Sequence, residues 1–246
     1  MRKLLLIMFL APLMCWGQGM PNMMAIGEVT VKTGKEQAFM DGMKKYIKCY
    51  KDNGGEEMWT TWVRMNGEGT VVAWTSAMDG WAALDEPEDE AGKACTSIVY
   101  ADLIPNSENM NRMFVEVMQD WSSPNPPEGE VIQVTFFDVD NEVLFRQAVG
   151  DVIKTIKEVN GEVPGYWMEV MGGAPDQPDY FVSRRMKDFT AMDKDTFDPW
   201  QIYLNKHGEQ KAMALNEKFN KAVDEQWSFM YKRNAELSND GGNTSH

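Results

Sequence analysis

The stretch that decides the fold is NGGEEMWTTWVRMNGEGTVVAWTSAMDGWAAL, residues 53–84. It predicts a turn, a strand rich in Trp and Thr, a hairpin turn with glycines, a second strand and the start of a helix. The segment NGEVPGYWMEVMGGAPDQPDYFVSRRMKDFTAM, residues 160–192, has the same order of features. The chain therefore contains an internal repeat, and this repeat determines the architecture that we predict.

The two copies align over several large residues. Three pairs recur at offsets of 105, 108 and 108, namely Trp62 with Trp167, Met78 with Met186, and Trp81 with Phe189. In the closing segments, Phe114 and Trp121 match Phe219 and Trp227 at offsets of 105 and 106. Each half is predicted to run strand, helix, strand, strand, helix, then a further helix and a short last strand.

This order is the split β-α-β-β-α-β unit of ferredoxin-like folds. Such a sheet carries helices on one face only, and two tandem copies can cover each other's open face. The pattern resembles the dimeric α/β-barrel superfamily, in which some members fuse both units in one chain. We therefore predict an α+β fold of two tandem ferredoxin-like repeats, packed sheet to sheet as a fused, pseudo-dimeric α/β barrel.

The resemblance also implies a range of functions. Members of the superfamily include cofactor-independent monooxygenases, haem enzymes of the chlorite-dismutase type, and small ligand-binding or stress-related proteins. The haem enzymes use one histidine of the C-terminal unit as the axial ligand, and His207 is the one candidate for that role here. Polar neighbours surround His207, so a solvated histidine is the alternative, and otherwise we predict no cofactor.

The chain opens with the features of a secretory signal. Arg2 and Lys3 precede an apolar run, and small residues follow at Cys15 and Gly17. The apolar run is shorter than the roughly 20 residues that a bilayer span needs, so we predict cleavage and a periplasmic or secreted protein. The predicted segments are a signal peptide at 1–17, a first repeat at 18–122, a Pro-rich linker at 123–130, a second repeat at 131–237 and a disordered polar tail at 238–246.

Charge and cysteine content restrict the partners and the compartment. The formal net charge is −14, and it becomes −16 when residues 1–17 leave with Arg2 and Lys3. This balance argues against nucleic acid and anionic lipid as partners, since both require a basic surface. Cys49 and Cys95 remain in the mature chain, and they form either one disulfide or two buried thiols.

A cavity between the two sheets would be lined by alternate strand residues. Tryptophan alternates with charged or small polar residues in these strands, which fits an aromatic pocket with a few polar groups for a small molecule. The candidate ligand-binding residues are Trp62, Arg64, Trp74, Trp167, Glu169, Arg184 and Arg185. The alternative is that these side chains only fill the interface between the sheets.

No other motif points to a reaction. One internal histidine and two distant cysteines do not make a zinc site, so we predict no metal. Neither a GxSxG nucleophile motif nor a phosphate-binding glycine loop is present. The sequence therefore predicts an exported protein that binds a small apolar or aromatic ligand between its lobes. The alternatives are an oxidoreductase of the monooxygenase or haem type and a structural or partner-binding protein, with the oligomeric state left open.

Overall fold

The computed structural model describes residues 21–87, 89–124 and 128–240. The predicted signal peptide and residues 241–246 of the predicted tail lie outside the described residues, as does the middle of the linker. The described part contains eight strands: β1 Met23–Val31, β2 Thr60–Arg64, β3 Thr70–Met78, β4 Ser107–Val117, β5 Val131–Val139, β6 Tyr166–Gly172, β7 Tyr180–Met186 and β8 Val223–Arg233. Its α-helices are α1 Glu36–Asp52, α2 Glu90–Ile98, α3 Glu142–Asn160, α4 Phe189–Asp193, α5 Pro199–His207 and α6 Glu209–Asn220.

The eight strands form one closed antiparallel barrel in the order β1-β3-β2-β8-β5-β7-β6-β4. The prediction of two ferredoxin-like repeats packed sheet to sheet is therefore wrong. The halves meet edge to edge, because β2 pairs with β8 and β4 pairs with β6. Closure gives the outer strands of each half a hydrogen-bonding partner and leaves no open sheet edge.

The end of the first half also differs from the prediction. The segment around Met110 and Phe114 is strand β4, in which Met113, Val115 and Val117 are buried at alternate positions. The match of Phe114 and Trp121 with Phe219 and Trp227 is wrong, because Phe114 lies in a strand and Phe219 lies in α6.

The barrel has an apolar core on both sides of its wall. In β1, Val29 and Val31 point outward and pack against α1, whereas Ile26 and Glu28 point inward. The second half packs α3, α5 and α6 on its outer face, around a cluster that includes Phe145. Side chains alternate between the two faces of a strand, so the same strands supply both the outer cores and the barrel interior.

Two long-range contacts fasten the first half. Cys49 of α1 and Cys95 of α2 form a disulfide with a Cα–Cα distance of 5.9 Å. Residues 238–240 fall in the segment predicted as a tail, but Ser238 and Asn239 are buried, and the backbone N–H of Thr61 donates to Ser238 Oγ at 2.9 Å. No helix in the described ranges is long and apolar enough to cross a bilayer.

Candidate functional site

A cavity of about 260 Å³ lies inside the barrel. It is nearest the end at which β1, β5 and β6 begin, because residues close to those starts line it, including Met24, Ile132 and Tyr166. Most of its wall is apolar, formed by Met24, Ile26, Ala73, Met113, Val117, Ile132, Val134, Phe136, Met168 and Phe181. A concave, mostly apolar space with a few polar groups is the usual form of a small-molecule site.

Trp62 and Arg185 are the two candidate residues that line this cavity. Trp62 is 2% exposed, and its indole N–H donates to Thr75 Oγ1 at 3.4 Å. The Arg185 guanidinium lies over the Trp62 ring, 5.1 Å from the ring centroid. Burial lowers the pKa of Arg185, and the nearby Tyr166 acts in the opposite direction. The cavity therefore contains a cation held against an aromatic face.

The carboxyl group of Glu28 also faces the cavity. Burial raises the pKa of Glu28, while the charge of Arg64 and a hydrogen bond from Tyr231 act to lower it. Desolvation is the largest of these effects, because the surrounding wall is apolar. A carboxyl group in such surroundings can accept a proton or donate one at a pH closer to neutrality than an exposed glutamate can.

Arg64 lies beside the cavity and is not part of its wall. Its guanidinium packs over the Phe229 ring at 4.5 Å and donates to the carbonyl oxygen of Glu68. Arg64 Nε is buried and has no hydrogen-bond partner among the described residues. The charge of Arg64 still acts on the interior, because it favours a lower pKa for both Glu28 and Tyr231.

The structure places Trp74 on the outer face of the barrel. Trp74 is the register partner of Gly27 and packs with the cluster beneath α1. A Cβ atom at Gly27 would lie 2.2 Å from the indole ring, so the absence of a side chain at Gly27 gives Trp74 its position. Trp74 therefore has a packing role outside the cavity.

Glu169 is also on the outer face and takes part in an ion-pair network. Arg146 contacts Glu142 and Glu169 at 2.7 Å each, and the Tyr180 hydroxyl donates to Glu169 Oε1 at 3.2 Å. These groups supply one another's ion-pair and hydrogen-bond partners, so the Glu169 carboxylate is engaged on the side of the wall that faces α3.

Trp167 and Arg184 line a second cavity of about 290 Å³, between the barrel wall and helices α3 and α5. Trp167 stacks on Phe137 with ring centroids 5.5 Å apart. Arg184 pairs with Asp195 and lies over Phe197, and its Nε has no hydrogen-bond partner among the described residues. The candidate residues are thus divided between two separate spaces.

His207 does not fit a haem ligand. It is the last residue of α5, and its Nε2 lies 2.9 Å from the Thr155 hydroxyl. Its ring packs on Tyr203 with centroids 4.3 Å apart, and it lines neither of the two cavities. An axial ligand must present a free nitrogen to a space that holds the macrocycle. In the described ranges, no group of three or more His, Cys, Asp or Glu side chains could hold a metal ion.

Sequence reasoning missed three ionisable residues of the barrel cavity: Glu28, Tyr166 and Tyr231. A signal for Glu28 is present in the sequence, because it occurs two residues after Ile26 and four after Met24 in a strand. Met24, Ile26 and Glu28 therefore share one face of β1, which places a charged residue on the same face as two apolar ones. No comparable signal distinguishes the two tyrosines, since tyrosine is common on either face of a strand.

Comparisons with known proteins support the fold. No family model matches the sequence, and no curated protein matches it. A candidate monooxygenase from Lactobacillus acidophilus NCFM aligns with a TM-score of 0.51 and 10% identity, covering 87% of this chain and 94% of that chain. An anthrone oxidase-like protein has a TM-score of 0.51 and 13% identity, and a candidate monooxygenase from Fusobacterium nucleatum has 0.50 and 13%; each alignment covers 86% of this chain and 91% of the other. At these identities, the similarity concerns the fold alone.

Proposed function

We propose that this protein binds a small, largely apolar ligand with an aromatic body in the barrel cavity, and that it does so outside the cytoplasm. The observation that supports this most is the pair of charged groups, Glu28 and Arg185, facing a mostly apolar cavity. Burying such groups costs free energy unless something compensates for the lost water. The signal-like N-terminus and the Cys49–Cys95 disulfide support an oxidising compartment.

The second cavity supports a ligand less well. Its charged group, Arg184, already has an ion-pair partner in Asp195, and its other polar groups are neutral. The barrel cavity instead presents Arg185, which forms no ion pair with any described residue. We therefore assign ligand binding to the barrel interior.

Binding of 1-naphthol, a neutral fluorescent aromatic alcohol, tests this proposal. We expect one molecule to bind per chain, with a change in naphthol emission as it enters apolar surroundings. Ala73→Leu should abolish the change, because Ala73 lines the cavity between its register partners Trp62 and Glu28. The matched variant Ala83→Leu, at an exposed position, should bind like the wild type. Equal binding by both variants would place the ligand elsewhere.

A second candidate function is oxygenation of a weakly acidic aromatic substrate without a cofactor. Glu28 favours it, because a buried carboxylate with a raised pKa is suited to take a proton from such a substrate. Two candidate monooxygenases and an anthrone oxidase-like protein share this fold. The test is oxygen uptake in the presence of anthrone, which should fall to the uncatalysed rate in Glu28→Gln. If Glu28→Gln leaves the rate of oxygen uptake unchanged, Glu28 has no role in such a reaction.

A further inference from the structure

Arg185 differs from the other partly buried arginines of the chain. Arg146, Arg184 and Arg233 each form at least one ion pair with a carboxylate, and Arg64 donates a hydrogen bond to the carbonyl oxygen of Glu68. Within the described ranges, the Arg185 guanidinium forms no ion pair and no side-chain hydrogen bond, and it lies over the Trp62 ring. Glu128 and Glu130 act on its charge, but neither forms an ion pair with it. A contact with an aromatic face compensates for only part of the hydration that a buried cation loses. The donors of Arg185 therefore remain available to a ligand.

Tyr166 provides a second donor at the same place. It lines the cavity with Arg185, and it pairs with Ser183, two residues before Arg185 on the same face of β7. Burial raises the pKa of Tyr166, so its hydroxyl keeps its proton at neutral pH. This hydroxyl has no side-chain hydrogen-bond partner among the described residues. A cation and a hydroxyl donor thus face the same space, and neither has a hydrogen-bond partner among the described residues.

The one carboxyl group in the cavity wall belongs to a different polar cluster. Glu28 interacts with Tyr231 and Arg64, and Arg185 is not among the groups that act on it. The wall therefore separates into an acidic cluster at Glu28 and a donor pair at Arg185 and Tyr166. A ligand with an anionic end would lie with that end at the donor pair and its body against the apolar wall.

We propose that the ligand of the barrel cavity is a small monocarboxylic acid with an apolar, aromatic body, whose carboxylate binds Arg185 and Tyr166. This inference rests on the proposed binding function. Arg presents a planar fork of N–H donors that matches a carboxylate, and charge-assisted bonds of this kind are stronger than neutral ones. The Trp62 ring packs against one face of the guanidinium, which limits the motion of the Arg185 side chain before the ligand binds.

The donors present favour a carboxylate over a phosphate. A phosphate monoester carries nearly two negative charges and three acceptor oxygens, and it is usually held by several cations or backbone N–H groups. The described cavity wall has one cation, Arg185, and no helix begins among its lining residues. Its volume of about 260 Å³ also restricts the body of the ligand to about one or two aromatic rings.

The experiment compares 3-phenylpropanoate with 3-phenylpropanamide by isothermal titration calorimetry at pH 7. The two probes have the same shape, and only the first is charged. We expect the carboxylate to bind at least about tenfold more tightly, because charge-assisted hydrogen bonds are about twice as strong as neutral ones. Arg185→Gln should remove this preference and leave the affinity for the amide within about threefold of the wild type. Arg112→Gln is the matched control, since Arg112 also lies over an aromatic ring but is exposed.

Tyr166→Phe provides a second variant that keeps the size of the side chain. It should lower the affinity for the carboxylate probe by about three- to tenfold, and the affinity for the amide by less, because it removes one hydrogen-bond donor. Equal affinity of the wild type for the two probes would overturn the inference while leaving the binding function intact. Failure of both probes to bind a protein that still binds 1-naphthol would overturn it in the same way. Failure of 1-naphthol as well would overturn the binding function itself.

Discussion

Filling the barrel cavity from within should stabilise the protein. Ala73 is 7% exposed in β3, and it lies opposite Glu28 on β1 and Trp62 on β2. Ala73→Leu adds three carbon atoms to a side chain that faces about 260 Å³ of space. At about 0.8 kcal/mol for each buried CH₂ group, full burial of three carbons would contribute about 2.4 kcal/mol. We expect a gain of about 1–2 kcal/mol, since the new side chain also loses rotamer freedom.

Urea unfolding measures this gain as a higher midpoint with an unchanged slope. The control Ala83→Leu, at an exposed position, should change the free energy of unfolding by less than about 0.5 kcal/mol. Overpacking of a filled core typically costs about 1–3 kcal/mol. A loss of stability of that size in Ala73→Leu would show that the interior is already filled, and it would refute the existence of the cavity.

Three further predictions concern the disulfide, a close packing contact and pH. Replacing both Cys49 and Cys95 by Ser should lower the free energy of unfolding by about 4 kcal/mol, because the disulfide spans a sequence separation of 46. Urea unfolding measures this loss, and a change below about 1 kcal/mol would contradict the prediction. Gly27→Ala should lower the free energy of unfolding by about 1–3 kcal/mol, because the new Cβ would lie 2.2 Å from the Trp74 ring. The control Gly172→Ala, with no atom within 4 Å of its Cβ, should be nearly neutral. Equal effects of the two substitutions would contradict the contact between residue 27 and Trp74. A carboxyl group whose pKa is raised in the folded state weakens that state as pH rises through the folded pKa. Glu28→Gln should therefore gain stability relative to the wild type between pH 4 and pH 8, and parallel stability curves over that range would contradict the raised pKa of Glu28.

Much of the local structure could be predicted from the sequence. The hairpin at residues 53–84 and its copy at 160–192 correspond to the pairs β2–β3 and β6–β7. Both long helices, α1 and α3, end within two residues of a glycine, Gly54 and Gly161, and these glycines adopt φ values of 79° and 85°. Positive φ is accessible to glycine at low cost, so these helix ends are encoded locally.

The closed barrel could not be predicted, because it depends on pairing between distant strands. The contacts that close it join β2 to β8 and β4 to β6, and the sequence carries no local sign of them. Turns and helix ends depend on neighbouring residues, whereas strand partners depend on the whole fold.

The candidate site was only partly predicted, and the reason is the alternation of side chains along a strand. Trp62 points into the barrel and Trp167 points toward the helices, although the sequence repeat aligns them. A shift of one residue moves a side chain to the opposite face. Apolar groups cover both faces of these strands, so the usual contrast between an apolar and a polar face is missing.

The most direct test of the barrel cavity as the binding site uses methionine methyl groups as probes. In protein labelled with ¹³C at these methyls, 1-naphthol should shift the NMR signals of Met24, Met113 and Met168, which line the cavity. The exposed Met171 and Met213 should not respond. Shifts confined to Met118, which packs against the outer cluster of the second half, would place the ligand on the helical side of the wall and contradict the assignment.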